Sequence, residues 1–115
     1  MRHLFALRVY YEDTDFGGIV YHANYLKFIE RARSEWVRSL GIDQRRMKAE
    51  TGTVFAVRWM ENDFLKPAVF DDELVVETRL DRLEGARLHL HQTGLRGTEA
   101  LFTARVRLVC LGAAG

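Results

Sequence analysis

Several things are scarce in this sequence. Among 115 residues there is one cysteine, Cys110, so no internal disulfide can form. That fits a reducing, cytoplasmic setting. There is one proline and no low-complexity tract, which excludes a disordered or linker-rich chain. An excess of charge of either sign is also missing. The 17 Lys and Arg stand against 16 Asp and Glu, for a formal net charge of +1. The global basic field that marks a nucleic-acid binder is therefore absent. No apolar run reaches the roughly 18 residues that a membrane-spanning helix needs. The opening MRHLFALRVYYED has a short apolar stretch, but Arg8 interrupts it and no small-residue cleavage site follows. It reads as a strand and not as a signal peptide.

What is present suits a single globular domain over residues 1–115, with 48% hydrophobic and 29% charged residues. A chain of this length is expected to have a radius of gyration of about 13 Å. It buries only roughly two-thirds of its unfolded surface, enough for a core but hardly for a deep enclosed site as well.

Hydrophobic periodicity orders the chain. Residues 4–12 (LFALRVYYE) are aliphatic and aromatic and predict a first strand. Gly17 and Gly18 break that pattern within DTDFGGIVYH. Residues 23–40 predict a long helix. Tyr25, Phe28, Ile29, Ala32, Trp36, Val37 and Leu40 recur at three- and four-residue steps, with charged residues opposite. Gly41 stops it. Asp43 can cap a shorter helix over 44–50 that Gly52 ends. From residue 53 the period becomes two, predicting strands at 53–64, 72–83, 86–94 and 99–110. In the second of these, Leu74, Val76, Thr78 and Leu80 share one face. In the last, Ala100, Phe102, Ala104, Val106, Leu108 and Cys110 share one face, with Arg105 and Arg107 opposite. Glu84-Gly85 and Arg96-Gly97 supply hairpin turns. The expected fold is α+β, a five-stranded antiparallel sheet wrapped around a central helix. Strands at both ends of the chain leave edges that a second copy can pair with.

The chemistry concentrates between the first strand and the long helix. Tyr10 to His22 holds three carboxylates, a histidine and a glycine pair ahead of a helix N-terminus. Such a terminus presents unpaired N–H groups able to stabilise an oxyanion. A carboxylate before it can act as nucleophile or general base. Taken alone, Asp and Gly in such a loop are also ordinary turn residues. His89 and His91 lie two apart on a strand, but no third metal ligand accompanies them, and no metal site is expected. Arg58, Lys66, Arg105 and Arg107 suit phosphate recognition and equally suit a solvated sheet face. Cys110 reads as an inert buried thiol.

The stretch VYYEDTDFGGIVYHANYLKFIERARSEW (9–36) closely resembles the signature of the YbgC-type acyl-CoA thioesterases. These belong to the 4-hydroxybenzoyl-CoA thioesterase family of the hotdog-fold superfamily. The later VRWMENDFLKPAVFDDELVVET is similar to that family's subsequent strands. The resemblance implies a hotdog fold and hydrolysis of an acyl-CoA thioester. It implies that Asp15 is the catalytic carboxylate, that the oxyanion donor falls at His22, whose side chain can assist, and that Tyr11 lines the site. It implies no cofactor, coenzyme A being part of the substrate, with acyl carrier protein as the other thiol carrier to test. The active unit is expected to be a homodimer or a dimer of dimers. A non-catalytic acyl-CoA- or acyl-carrier-binding module on the same fold is the rival reading, and an enoyl-thioester hydratase is a third.

Overall fold

A computed structural model describes residues 2–112. In chain order the elements are β1 (Arg2–Arg8), a single 3-10 turn (Tyr11–Asp13), α1 (His22–Ser39), α2 (Gln44–Thr51), β2 (Val54–Phe64), β3 (Glu73–Glu84), β4 (Arg87–Arg96) and β5 (Glu99–Leu111). The five strands form one antiparallel sheet in the order β1-β3-β4-β5-β2. The α+β, helix-on-sheet expectation therefore holds.

The helix α1 forms where its apolar stripe was read. Tyr25, Phe28, Ile29, Ala32, Trp36 and Val37 are buried. Leu40 departs from the stripe. It sits beyond the last turn, where the chain swings away at Gly41 (φ 84°), and it is exposed. Facing α1 are Leu74 and Val76 of β3, Leu90 of β4, and Phe102, Ala104, Val106 and Leu108 of β5, all buried. Burying a side chain of this size contributes about 1.5–3 kcal/mol. Two polar residues lie in the same layer with no exposure, Thr78 and Gln92. They are satisfied: Gln92 Nε2 donates to Thr78 Oγ1 (2.9 Å) and to the Ile29 carbonyl (3.1 Å), and its Oε1 accepts from Arg33 (3.2 Å). This pins the helix to the middle of the sheet. Burial lowers the pKa of Arg33 from its ordinary value.

The two hairpins close through Gly85-Ala86 and Gly97-Thr98. Each has its glycine at positive φ (57° and 63°) in the first loop position, as two-residue hairpins favour. Asp43 caps α2 through Oδ1, which accepts from the Arg46 N–H (3.1 Å).

Three sequence expectations need correction. The first strand ends at Arg8 and not at residue 12. The Tyr10 N–H is taken by the Asp13 carboxylate (2.8 Å), so the chain coils into the 3-10 turn and leaves the sheet ladder. The edges are β1 and β2; the C-terminal strand β5 is interior, because β2 folds back along it. Leu80 keeps the expected face, opposite the buried Leu90, but is 39% exposed just before a bulge between Leu80 and Arg82. Finally, the radius of gyration is 15.1 Å, with extents of 45 × 25 × 23 Å. Strands of 10 to 13 residues make the sheet longer than a sphere of equal mass. Cys110 is half-buried near the end of β5. Among the described residues, no helix is long and apolar enough to cross a membrane.

Candidate active site

After β1, Val9 is fully buried, and its backbone exchanges hydrogen bonds with the turn at Asp71 and Asp72 (2.9 Å each). The following loop is held almost wholly by its own polar groups. Asp13 accepts the Tyr10 N–H on its carboxylate. Its carbonyl accepts from the Tyr21 N–H (3.0 Å) and the Asn24 side chain (2.9 Å). Thr14 Oγ1 donates to the Tyr11 carbonyl (2.7 Å). Asp13 is therefore committed to the loop's shape.

Asp15 occupies a tight turn. Its N–H donates to the Ile19 carbonyl (2.9 Å) and its carbonyl accepts from the Gly18 N–H (3.0 Å). Gly18 has φ 82°, a conformation that glycine adopts without a Cβ penalty. The turn aims the side chain outward. One oxygen, Oδ1, accepts from the Gly17 N–H (2.8 Å), which orients the carboxylate; the other has no partner among the described residues.

Seven residues after Asp15, α1 begins at His22. Asn24 N–H is taken by the Tyr21 carbonyl (2.8 Å), whereas the N–H groups of His22 and Ala23 have no backbone acceptor among the described residues. The His22 ring rests 4.6 Å from the Tyr21 ring and 6.2 Å from Phe64, centroid to centroid.

The segment between β2 and β3 forms the opposite wall. Leu65 and Lys66 N–H both donate to the Leu101 carbonyl (2.8 and 3.0 Å). The Ala68 carbonyl accepts from Val20 N–H (2.9 Å). Ala68 N–H donates to the buried Tyr25 hydroxyl (3.0 Å). Burial pushes the Tyr25 pKa up. A cluster of charges braces this wall from outside. Arg96 binds Asp72 (2.7 Å) and Glu99 (2.8 Å), and Lys66 binds Glu99 (2.7 Å). Hydrogen bonds from Lys66 and Arg96 hold the Glu99 carboxyl below its usual pKa.

Between loop and wall lies an open pocket of about 450 Å³, where Asp15 and His22 meet the apolar Ile19, Val20, Tyr25, Phe64, Leu65 and Pro67, with Lys66 at the side. Asp15 also borders a second concavity with Tyr11, Phe16 and Phe70. Tyr11 is exposed and meets Phe70 edge-on at 6.4 Å, on the other flank of Asp15 from His22.

The structure thus brings Asp15 and His22 into one pocket and sets Tyr11 beside Asp15 but outside it. Lys66 reaches the pocket with its ammonium already paired to Glu99. Arg105 and Arg107 lie elsewhere, on the outer sheet face, and Arg58 falls at a bulge in β2. His89 faces outward and is bound to Glu84 (3.1 Å). Sequence reasoning missed the wall from Phe64 to Pro67. The lone proline directly after Lys66 was the available signal for a fixed turn there.

The sequence pattern of the thioesterase superfamily matches residues 17–103, beginning two residues after Asp15. The chain belongs to the thioesterase superfamily. As a thioesterase-superfamily member it is 43% identical over 107 residues to the acyl-CoA thioesterase YbgC of Haemophilus influenzae, covering 93% of this chain and 79% of that protein. It is 42% identical over 100 residues to the acyl-CoA thioester hydrolase YbgC of Escherichia coli, covering 87% of this chain and 65% of that relative. The fold superposes on that of a probable thioesterase from Bartonella henselae with a TM-score of 0.94 and 42% identity, over 100% of this chain and 95% of the other. The resemblance carried by residues 9–36 is therefore borne out, and the chain is an enzyme of the thioester-hydrolase class.

Proposed function

We propose that the protein hydrolyses acyl-CoA thioesters, with Asp15 as the reacting carboxylate and the start of α1 as the oxyanion site. One observation carries this reading. Asp15, a carboxylate with a free oxygen, and His22, the first residue of a helix whose leading N–H groups have no backbone acceptor among the described residues, line the same partly apolar pocket.

The chemistry needs little else. The thioester carbonyl oxygen gains charge as the carbon becomes tetrahedral, and the His22 N–H and the α1 dipole oppose that charge. Asp15 either attacks the carbonyl carbon or takes a proton from a water that attacks it. In both routes the C–S bond breaks and the thiolate leaves with its electron pair. In the first route, water then opens the resulting anhydride. A thiolate is a good leaving group, so no strong acid is required. His22 flanks the site, where its ring can position water or substrate. Tyr11 lines the approach to Asp15.

The residues suit catalysis better than mere binding, because an exposed, oriented carboxylate gains nothing from an uncharged acyl chain. The acyl group takes the wall of Ile19, Val20, Tyr25, Phe64 and Leu65. The pocket is open, and a second copy paired along an edge strand would complete it. β2 offers Val57 and Phe64 exposed for such a contact. The homodimer, or dimer of dimers, is thus part of the proposal, as is action in a reducing cytoplasm that keeps Cys110 a thiol.

The test is thiol release from a panel of acyl-CoA and acyl-carrier-protein thioesters, with Asp15→Ala and Asp15→Asn alongside wild type. The expected loss is about 10³-fold or more in kcat with an unchanged melting curve. Wild-type turnover in either variant would overturn the assignment of Asp15. Tight acyl-CoA binding without turnover in the wild-type protein would make it a binding module. Sedimentation of the active species tests the dimer, and a fully active monomer would refute it.

A further inference from the structure

The outer face of the sheet, which α1 does not cover, carries an unusual array. Register across β3, β4 and β5 aligns Arg79, His91 and Arg105 in one row. The next row aligns Arg82, His89 and Arg107 with Trp59 of β2. Together with Asp81 these residues line one open concavity of about 590 Å³. It shares no lining residue with the Asp15 pocket. Trp59 lies five residues back from Phe64 along β2, about 17 Å at strand spacing.

Part of the charge is neutralised internally. Arg79 binds Asp81 (3.1 Å), and Arg82 and His89 share Glu84 (3.5 and 3.1 Å). Glu61 stands opposite Arg105 in register without an ion pair between them. Arg105 and Arg107 have no carboxylate within 4.0 Å among the described residues. The Arg107 guanidinium lies over the Trp59 ring, 5.0 Å from its centroid, and its Nε is buried without a hydrogen-bond partner.

We propose that this face binds a diphosphate joined to an aromatic base. Arg105 and Arg107 are two residues apart on β5 and therefore about 7 Å apart on one face, a span that two linked phosphates can bridge. Trp59, stacked with Arg107, offers a ring against which a base can lie. Two ligands share this chemistry, the nucleotide end of a coenzyme A thioester and a free nucleoside diphosphate.

Trp59 is 40% exposed while the other tryptophan, Trp36, is buried, so emission from Trp59 reports on this face. The experiment titrates the full-length protein with ADP, coenzyme A, pyrophosphate and pantetheine, following fluorescence and calorimetry. ADP and coenzyme A should give saturable responses that weaken with added salt; pantetheine should give none. Arg105→Gln and Arg107→Gln should each weaken binding about tenfold or more. Arg105 is exposed, so its variant will fold even if loss of the Arg107–Trp59 stack disturbs β2. No saturable response to ADP or coenzyme A, or unchanged affinity in the Arg105→Gln variant, would overturn the proposal. ADP that competes with thioester turnover assigns the ligand as the substrate's own nucleotide. ADP that binds without affecting turnover assigns a free nucleotide. The response should persist in Asp15→Ala, so failure of this site and failure of the hydrolytic reading give different results.

Discussion

Gly94 lies directly against the Phe102 ring, and a single methyl there tests the packing argument. A Cβ on Gly94 would lie 2.0, 2.1 and 2.6 Å from Cε1, Cζ and Cδ1 of Phe102, the residue paired with it across β4 and β5. Carbon–carbon contact begins near 3.5 Å, so the ring must retreat by about 1.5 Å. It has little room. Phe102 is 1% exposed, and its other side meets the Tyr25 ring at 4.6 Å. Overpacking of this kind costs about 1–3 kcal/mol. With the usual unfolding entropy per residue, a chain of 115 residues loses about 4 °C in Tm for each kcal/mol, so Gly94→Ala should melt about 4–12 °C lower. The displacement passes through Tyr25 to the pocket wall, so KM for a thioester should rise as well. Thermal melts by circular dichroism, with thiol release on the same samples, give both quantities. Adding Phe102→Leu should recover part of the loss, because the offending ring atoms are then gone. A Gly94→Ala protein that melts with the wild type would refute the close packing of β4 on β5, and with it the link from sheet to pocket.

Other expectations are more local. Tyr25→Phe leaves the buried Ala68 N–H without its acceptor, at about 1–3 kcal/mol, readable in a urea titration. Gly17→Ala puts a Cβ 3.1 Å from Asp15 Oδ1 and should turn the carboxylate, lowering kcat more than it changes Tm. The carboxyl of Glu99 is held below its usual value by Lys66 and Arg96, so it stays charged in the folded state where the unfolded chain begins to protonate. Its stabilisation is present above the ordinary glutamate value of 4.5 and is lost as pH falls through the lower folded value. Glu99→Gln should flatten that acid limb in melts between pH 7 and pH 3.

Much of this could be read from residue patterns, for identifiable reasons. The helix was placed within one residue at each end because its stripe and Gly41 both mark it, and β2 to β5 followed from two-residue alternation with glycine turns. Asp15 and His22 were legible because both sit in one contiguous stretch. The end of β1 was not, because Tyr10 and Tyr11 look like strand residues while a side-chain acceptor, Asp13, decides where their backbone goes. Nor was strand order, since nothing local tells β2 to fold back on β5. The far wall of the pocket stayed hidden for the same reason: Phe64 and Pro67 meet Asp15 across some fifty residues of chain.

The strand order has a kinetic side. β3, β4 and β5 are consecutive and joined by two-residue turns, so they can zip from neighbouring residues with small loops to close. The two edges cannot. β1 must find β3 with Arg2 opposite Arg79, and β2 must find β5 with Val54 opposite Leu111. The pocket draws on exactly those late arrivals, the loop after β1 and the end of β2. The meander should therefore form first and the reactive constellation last. In a refolding experiment the sheet signal should precede recovery of activity, and simultaneous recovery would count against this order.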